Sequence, residues 1–363
     1  MSLYFQIVQN MKTKYRGIIY SILSAAIFSA AMVAPSVAQQ PIANAQPQKR
    51  MSWITVTHIN FHGWDAIMLR NQVAEITIVP AIGRVMSFGF ANENSADETA
   101  QNVLWNNPAV GTAQKPDIEG WTNYGGDKVW PAPQSDWPKN AGNAWPPPKA
   151  FDAMPYMASV EGDQVQLLSL VSPIYGIRVR RTIALDPQEP VMTIKTTYEK
   201  LQGAPVSVAV WSITQVVAPE RAFILVPKHP AFPHGYVNML PEQPKELKSD
   251  GRLLSLVRDP QKNTMIGSDG DTLLSVGQNS DLLIENKTPV LPGSKVEWPD
   301  HGLHSKIFTS GNDLKYMELE IFSPLSLLKP SHNISMESSY TLIPRTEHDP
   351  MREAKKVFAS DLK

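Results

Sequence analysis

The segment KYMELEIFSP sets Tyr316, Glu318 and Glu320 at alternate positions, with Met317, Leu319 and Ile321 between them. Side chains in a strand alternate faces, so the apolar set enters a core and the phenol and two carboxyls share the other face. Carboxylates this close repel, and crowding lifts one of them toward the range of a general base. The implied chemistry is proton transfer on a bound substrate, with Glu318 and Glu320 as catalytic candidates. GIRVRRTI offers matching cations, because Arg178 and Arg180 share a face opposite Ile177, Val179 and Ile183. Planar guanidinium donors suit carboxylates and hydroxyl groups. If the two strands are neighbours, these arginines compensate the glutamates. The plain alternative for both segments is a solvated sheet face carrying ordinary salt bridges.

A second group of residues is aromatic. PVSVAVWSITQV puts Trp211 and Gln215 on one strand face. EGWTNYGGDKVWPAPQSDWPKNAGNAWPPP brings Trp121, Tyr124, Trp130, Trp137 and Trp145 into one proline-rich stretch, and NVLWNNPA adds Trp105. Indoles interleaved with Asp, Lys, Asn and Gln suit carbohydrate: the apolar face of a sugar ring stacks on the indole while polar groups fix its hydroxyls. Asp127, Lys128, Trp130, Trp137, Arg178, Arg180 and Gln215 are the substrate-binding candidates. In this reading the glycines bring the backbone close to the ligand and the prolines hold the loop rigid. The alternative is a hydrophobic lid over the open edge of a sandwich.

Other chemistries find less support. Six of the eight histidines fall in pairs, His58 with His62, His229 with His234 and His301 with His304, none at the helical zinc spacing. Asp300, His301 and His304 lack a further ligand at fixed spacing, so no metal site is expected. GxSxG and phosphate-cradling motifs are missing, and no motif calls for a cofactor. The chain has no cysteine, which rules out disulfides and thiolate metal sites. A net charge of -1 over 363 residues gives no basic patch for nucleic acid.

The elements that must position these residues are strands. Runs of period two such as VAEITIVP, GRVMSFGF, GIRVRRTIAL, VMTIKTTYEK, SKIFTSG and SYTLIP are separated by Gly, Asn, Asp and Pro punctuation. Helices are not interleaved, so the expected fold is all-β: a large antiparallel β-sandwich, with PMREAKKVFASDLK as a short C-terminal helix. Two long irregular segments, 92–156 and 227–251, interrupt the strand rhythm, and such loops are often functional. At the N-terminus, Lys12, Lys14 and Arg16 precede an apolar run from Gly17, and Ser36 to Ala38 form a small-residue cleavage site. Residues 1–38 are therefore expected to be a signal peptide, with Met11 a second candidate start, and 39–50 a linker. One domain covers 51–344 and a helical tail 345–363. The mature protein is expected to be exported, periplasmic or extracellular, with no membrane span left after cleavage.

LRNQVAEITIVPAIGRVMSFGF followed by NVLWNNP resembles the opening of the galactose mutarotase-like (aldose 1-epimerase-like) superfamily. NYGGDKVWPAPQSDWP, GIRVRRTI, WSITQV and YMELEIFSP resemble the DUF4380 family, a domain of unknown function in or near that superfamily. The resemblance covers nearly all of the mature chain. It implies a supersandwich of antiparallel sheets with a sugar-sized cleft on one concave face. Mutarotases use a glutamate base on a late strand with histidine acids nearby, which maps onto Glu318 or Glu320, with a histidine or Lys128 as the acid. Arg84, after the glycine turn of PAIGRV, joins the substrate-binding candidates. The expected ligand is a carbohydrate, and the expected activity, if there is one, is an isomerase acting at the anomeric centre. The alternative is a non-catalytic glycan-binding or structural envelope protein.

Overall fold

The structure, a computed structural model, describes residues 53–91, 102–110, 115–117, 119–290 and 296–363. The expected signal peptide and linker lie outside the described residues.

Two antiparallel sheets form a sandwich. The first runs in the order Thr55–Phe61, Trp64–Arg70, Ala74–Val79, Arg84–Phe90, Asp127–Ala132, Val206–Val217, Tyr316–Phe322, Ser305–Thr309, Thr264–Ser268 and Val237–Asn238, with Ser326–Leu328 pairing to one side of Val206–Val217. The second is ten-stranded and runs from Lys248–Asp250 to Met157–Glu161, with Asn333–Pro344, Val191–Lys200 and Ile177–Leu185 among its neighbouring strands. The core lies between the sheets, as the alternation predicts. Val129, Val210, Met317, Leu319 and Ile321 from the first sheet meet Val179, Ile194, Leu282, Met336 and Leu342 from the second. Burying one face of each strand is the main stabilising term, and it also fixes register, because a slip of one residue would turn every side chain over.

A buried polar link crosses this core. Arg181 has the parity of Val179 and Ile183, so it points inward, where its guanidinium pairs with Asp127. The other Asp127 oxygen accepts from Thr214 (2.7 Å), Tyr340 (2.9 Å) and Ser212 (3.3 Å). Such a pair is maintained only when its remaining lone pairs are met, as they are here.

The GGDKVWPAPQSDWP segment departs from expectation. It is not an exposed loop: Asp127–Ala132 is a strand near the middle of the first sheet, and all six residues are buried. Gly125 and Gly126 have φ of 96° and 73°, and a Cβ on them would lie 2.1 Å from the Trp105 carbonyl oxygen and 2.3 Å from that of Val85. The glycines therefore bring the chain close to its own neighbouring segments. Within 227–251 the chain forms only short elements, a 3-10 turn at Pro233–Gly235 and the strands Val237–Asn238 and Lys248–Asp250.

The C-terminal helix, Pro350–Val357, starts at Asp349, whose carboxylate accepts from the Arg352 amide at 2.8 Å. Ala354 and Phe358 pack on Phe223, Leu274 and Val276, on the outer side of the second sheet.

Candidate functional site

The site is built on three adjacent strands of the first sheet. Val206–Val217 lies between Asp127–Ala132 and Tyr316–Phe322. Trp211 pairs with Trp130 on one side and Phe322 on the other; Ile213 lies opposite Lys128 and Glu320, and Gln215 opposite Glu318. Beyond them, Ser305–Thr309 sets Lys306 against Glu320. These side chains share the face turned away from the second sheet, because Val129, Leu319 and Ile321, of the other parity, fill the core.

Two carboxyls sit on this face in different company. Glu318 accepts from the Gln215 amide at 2.8 Å and lies 3.4 Å from the Lys128 ammonium. Glu320 is fully buried and accepts from the Trp211 indole at 2.8 Å. Burial, reinforced by the charge of Glu318 and opposed by Lys306, pushes Glu320 up to about 8. Burial likewise lowers Lys128, against the pull of Glu318. Lys128 lies 4.6 Å from the Trp130 ring centroid, and Lys306 4.9 Å from those of Trp211 and Phe322, both within cation–π reach. Lys306 is also bound by Asp300 at 2.6 Å. Asp300 and the next residue, His301, hold left-handed backbone, φ 48° and 66°, conformations that cluster at functional sites.

A second layer supports the first. Arg84 and Asp152, each 1 % exposed, form a 2.8 Å ion pair, and the same Asp152 oxygen accepts from the Trp130 indole at 2.8 Å. Tyr316 stacks on Trp105 at 4.6 Å. At the other end, where His304 precedes the Lys306 strand, its ring stacks on Trp298 at 3.6 Å and its Nδ1 meets Asp271 at 3.0 Å. Among the described residues, several buried polar atoms around this face have no hydrogen-bond partner: Glu320 Oε1, Gln215 Oε1, Asp152 Oδ2, Asn123 Oδ1 and Arg84 Nε. Leaving such atoms without partners costs about 1–3 kcal/mol each.

Of the residues singled out in the sequence, the structure brings together Lys128, Trp130, Gln215, Glu318 and Glu320, with Arg84 behind them. It does not bring the others. Asp127 has the opposite strand parity and lies between the sheets. Trp137 is wholly buried, donates to the Pro131 carbonyl at 2.8 Å and packs beneath Trp130 and Trp211, so it supports the face without lining it. Arg178 and Arg180 stand on the second sheet and clamp Glu199, at 2.7 Å each, so they do not compensate the late-strand glutamates. That compensation comes from Lys128 and Lys306. Lys306 and Asp152 join the site without being among the sequence candidates. The first had a signal: the short link between Thr309 and Tyr316 makes a hairpin, and counting back along it sets Lys306 opposite Glu320. Asp152 had none, since it reaches the site from the end of the short Lys149–Asp152 helix.

Among the described residues no cluster of three metal-ligating side chains occurs, and no helix is long and apolar enough to cross a membrane.

This architecture is that of galactose mutarotase-like proteins. The chain is similar to the Slr1438 protein of Synechocystis, at 11 % identity and a TM-score of 0.51 over 80 % of this chain and 100 % of that one. It is also similar to a galactose mutarotase-like protein from Lactobacillus casei, at 9 % identity and a TM-score of 0.50 over 76 % and 99 %. A TPR-domain containing protein from Parabacteroides distasonis aligns at 14 % identity and a TM-score of 0.49, over 78 % of this chain; the chain spans about half of that longer protein, 48 %. No curated protein matches the sequence. Residues 65–288 match the family described as Domain of unknown function (DUF4380), and the chain belongs to that family.

Proposed function

We propose that the protein binds a saccharide against the outer face of the first sheet and catalyses proton transfer at its anomeric centre. The observation that carries this reading is the opposed environment of two carboxyls on one strand face. Glu318, held by Lys128 and Gln215, is the base that takes the anomeric hydroxyl proton. Glu320, kept protonated by burial, is the acid that gives its proton to the ring oxygen as the ring opens. Rotation about the C1–C2 bond of the open chain and the reverse transfers return the other anomer. Trp130 and Trp211 supply the apolar wall, and His304, steadied by Asp271, is a second proton donor at the rim. The basic and apolar N-terminal segment of the sequence supports an exported location for this activity.

Polarimetry on freshly dissolved aldoses tests the chemistry. Acceleration is expected for the native protein and a loss of about 10²-fold or more for Glu318→Gln. No acceleration across a broad aldose panel would sink the catalytic reading. A second reading, a non-catalytic saccharide-binding module, is favoured by the near-complete burial of Glu320. It predicts binding that survives Glu318→Gln and Glu320→Gln but is lost in Trp130→Ala.

A further inference from the structure

The aromatic wall of the site continues past the two carboxyls. Trp211 meets Trp130 edge to face at 5.4 Å between centroids, Trp130 meets Trp145 at 5.8 Å, and Trp145 meets Trp121 at 4.7 Å. Trp211 and Trp130 are buried, whereas Trp145 is 47 % exposed. The row therefore leads from Glu320, through the ring that Lys128 faces, to an indole in contact with solvent. A half-exposed tryptophan joined to a buried aromatic cluster presents an apolar ring with a polar N–H handle, a combination suited to a ligand contact. Polar groups accompany it: Trp121 Nε1 is a buried donor without a partner among the described residues, and the Asn143 amide, which donates to the Trp145 carbonyl oxygen at 3.2 Å, also carries an acceptor oxygen. Indole, stranded donor and side-chain amide together suit a hydroxyl-rich ring better than a purely apolar partner. Arg84, Lys128 and Lys306, the cations around the carboxyls, are each already paired with a carboxylate, so the ligand that fits is uncharged.

We infer that Trp145 and Trp121 form an outer subsite for a second sugar residue, and that the ligand is a neutral oligosaccharide whose terminal unit lies at Glu318 and Glu320. This rests on the saccharide reading above and extends it from a single ring to a chain.

Calorimetric titration with glucose, cellobiose, cellotriose, maltose, maltotriose, galactose and β-1,4-galactobiose tests it. For at least one series, the disaccharide should bind about tenfold more tightly than its monosaccharide. Trp145→Ala, at a half-exposed position outside both sheets, should abolish that gain while leaving the monosaccharide Kd within about twofold. Trp121→Phe, which keeps a ring but removes the indole N–H, should lose part of it. If a monosaccharide binds but lengthening brings no gain, or Trp145→Ala leaves the gain unchanged, the subsite is refuted and the saccharide reading stands. If no sugar of any length binds, both are overturned.

Discussion

Glu320 offers the sharpest test of how the site is built. Its carboxyl titrates near 4.5 when unfolded and at about 8 in the folded protein, chiefly because burial strips its water. A folded pKa raised in this way means that the native state holds the proton more tightly than the unfolded chain does. Its contribution is fully present below pH 4.5 and is lost as the pH climbs through 8. Each pH unit in that window costs about 1.4 kcal/mol, so the whole rise removes about 4–5 kcal/mol. Glu320→Gln keeps an oxygen for the Trp211 indole and cannot ionise. The variant should therefore match the native protein at pH 5 and exceed it by several kcal/mol at pH 9. Urea unfolding followed by tryptophan fluorescence at intervals from pH 5 to pH 9 gives both profiles. Profiles that run parallel would refute a buried, protonated Glu320 and, with it, the assignment of this residue as the acid.

The proposed chemistry requires Glu320 protonated, so kcat for anomer interconversion should fall as the pH passes about 8, and a flat alkaline limb would exclude it as the donor. Arg84→Met leaves Asp152 buried without its cation and should cost about 3–5 kcal/mol in urea unfolding. Gly126→Ala forces a Cβ to 2.3 Å from the Val85 carbonyl oxygen at a φ of 73°; it should lower stability by more than about 2 kcal/mol or yield insoluble protein, as solubility and Tm would show.

The sandwich and the faces of its strands were legible because alternation is a local property. Met317, Leu319 and Ile321 point into the core and Glu318 and Glu320 away from it, as period two requires. Adjacency was not legible, because the strands that meet at the site come from positions 127, 211 and 318 and their pairing depends on the whole topology. Arg178 and Arg180 show the difference: alternation gives their shared face, but not which sheet carries it. The proline-rich GGDKVWPAPQSDWP looked like a loop since Pro131 removes a backbone donor. Burial among its neighbours overrides that local preference, and alternation within the strand sends Asp127 inward and Lys128 outward, so two adjacent candidates serve opposite faces.

The helix Pro350–Val357 changes where this protein can safely be altered. Its Ala354 and Phe358 cover Phe223, Leu274 and Val276, so a chain stopped at Pro344 would present a greasy patch to its own copies and tend to clump during purification. The same helix lies on the back of the sandwich, across both sheets from Glu318 and Glu320. A label or surface tether attached after Lys363 would therefore start from the side opposite Glu318 and Glu320, and an immobilised protein would keep the face that carries them free.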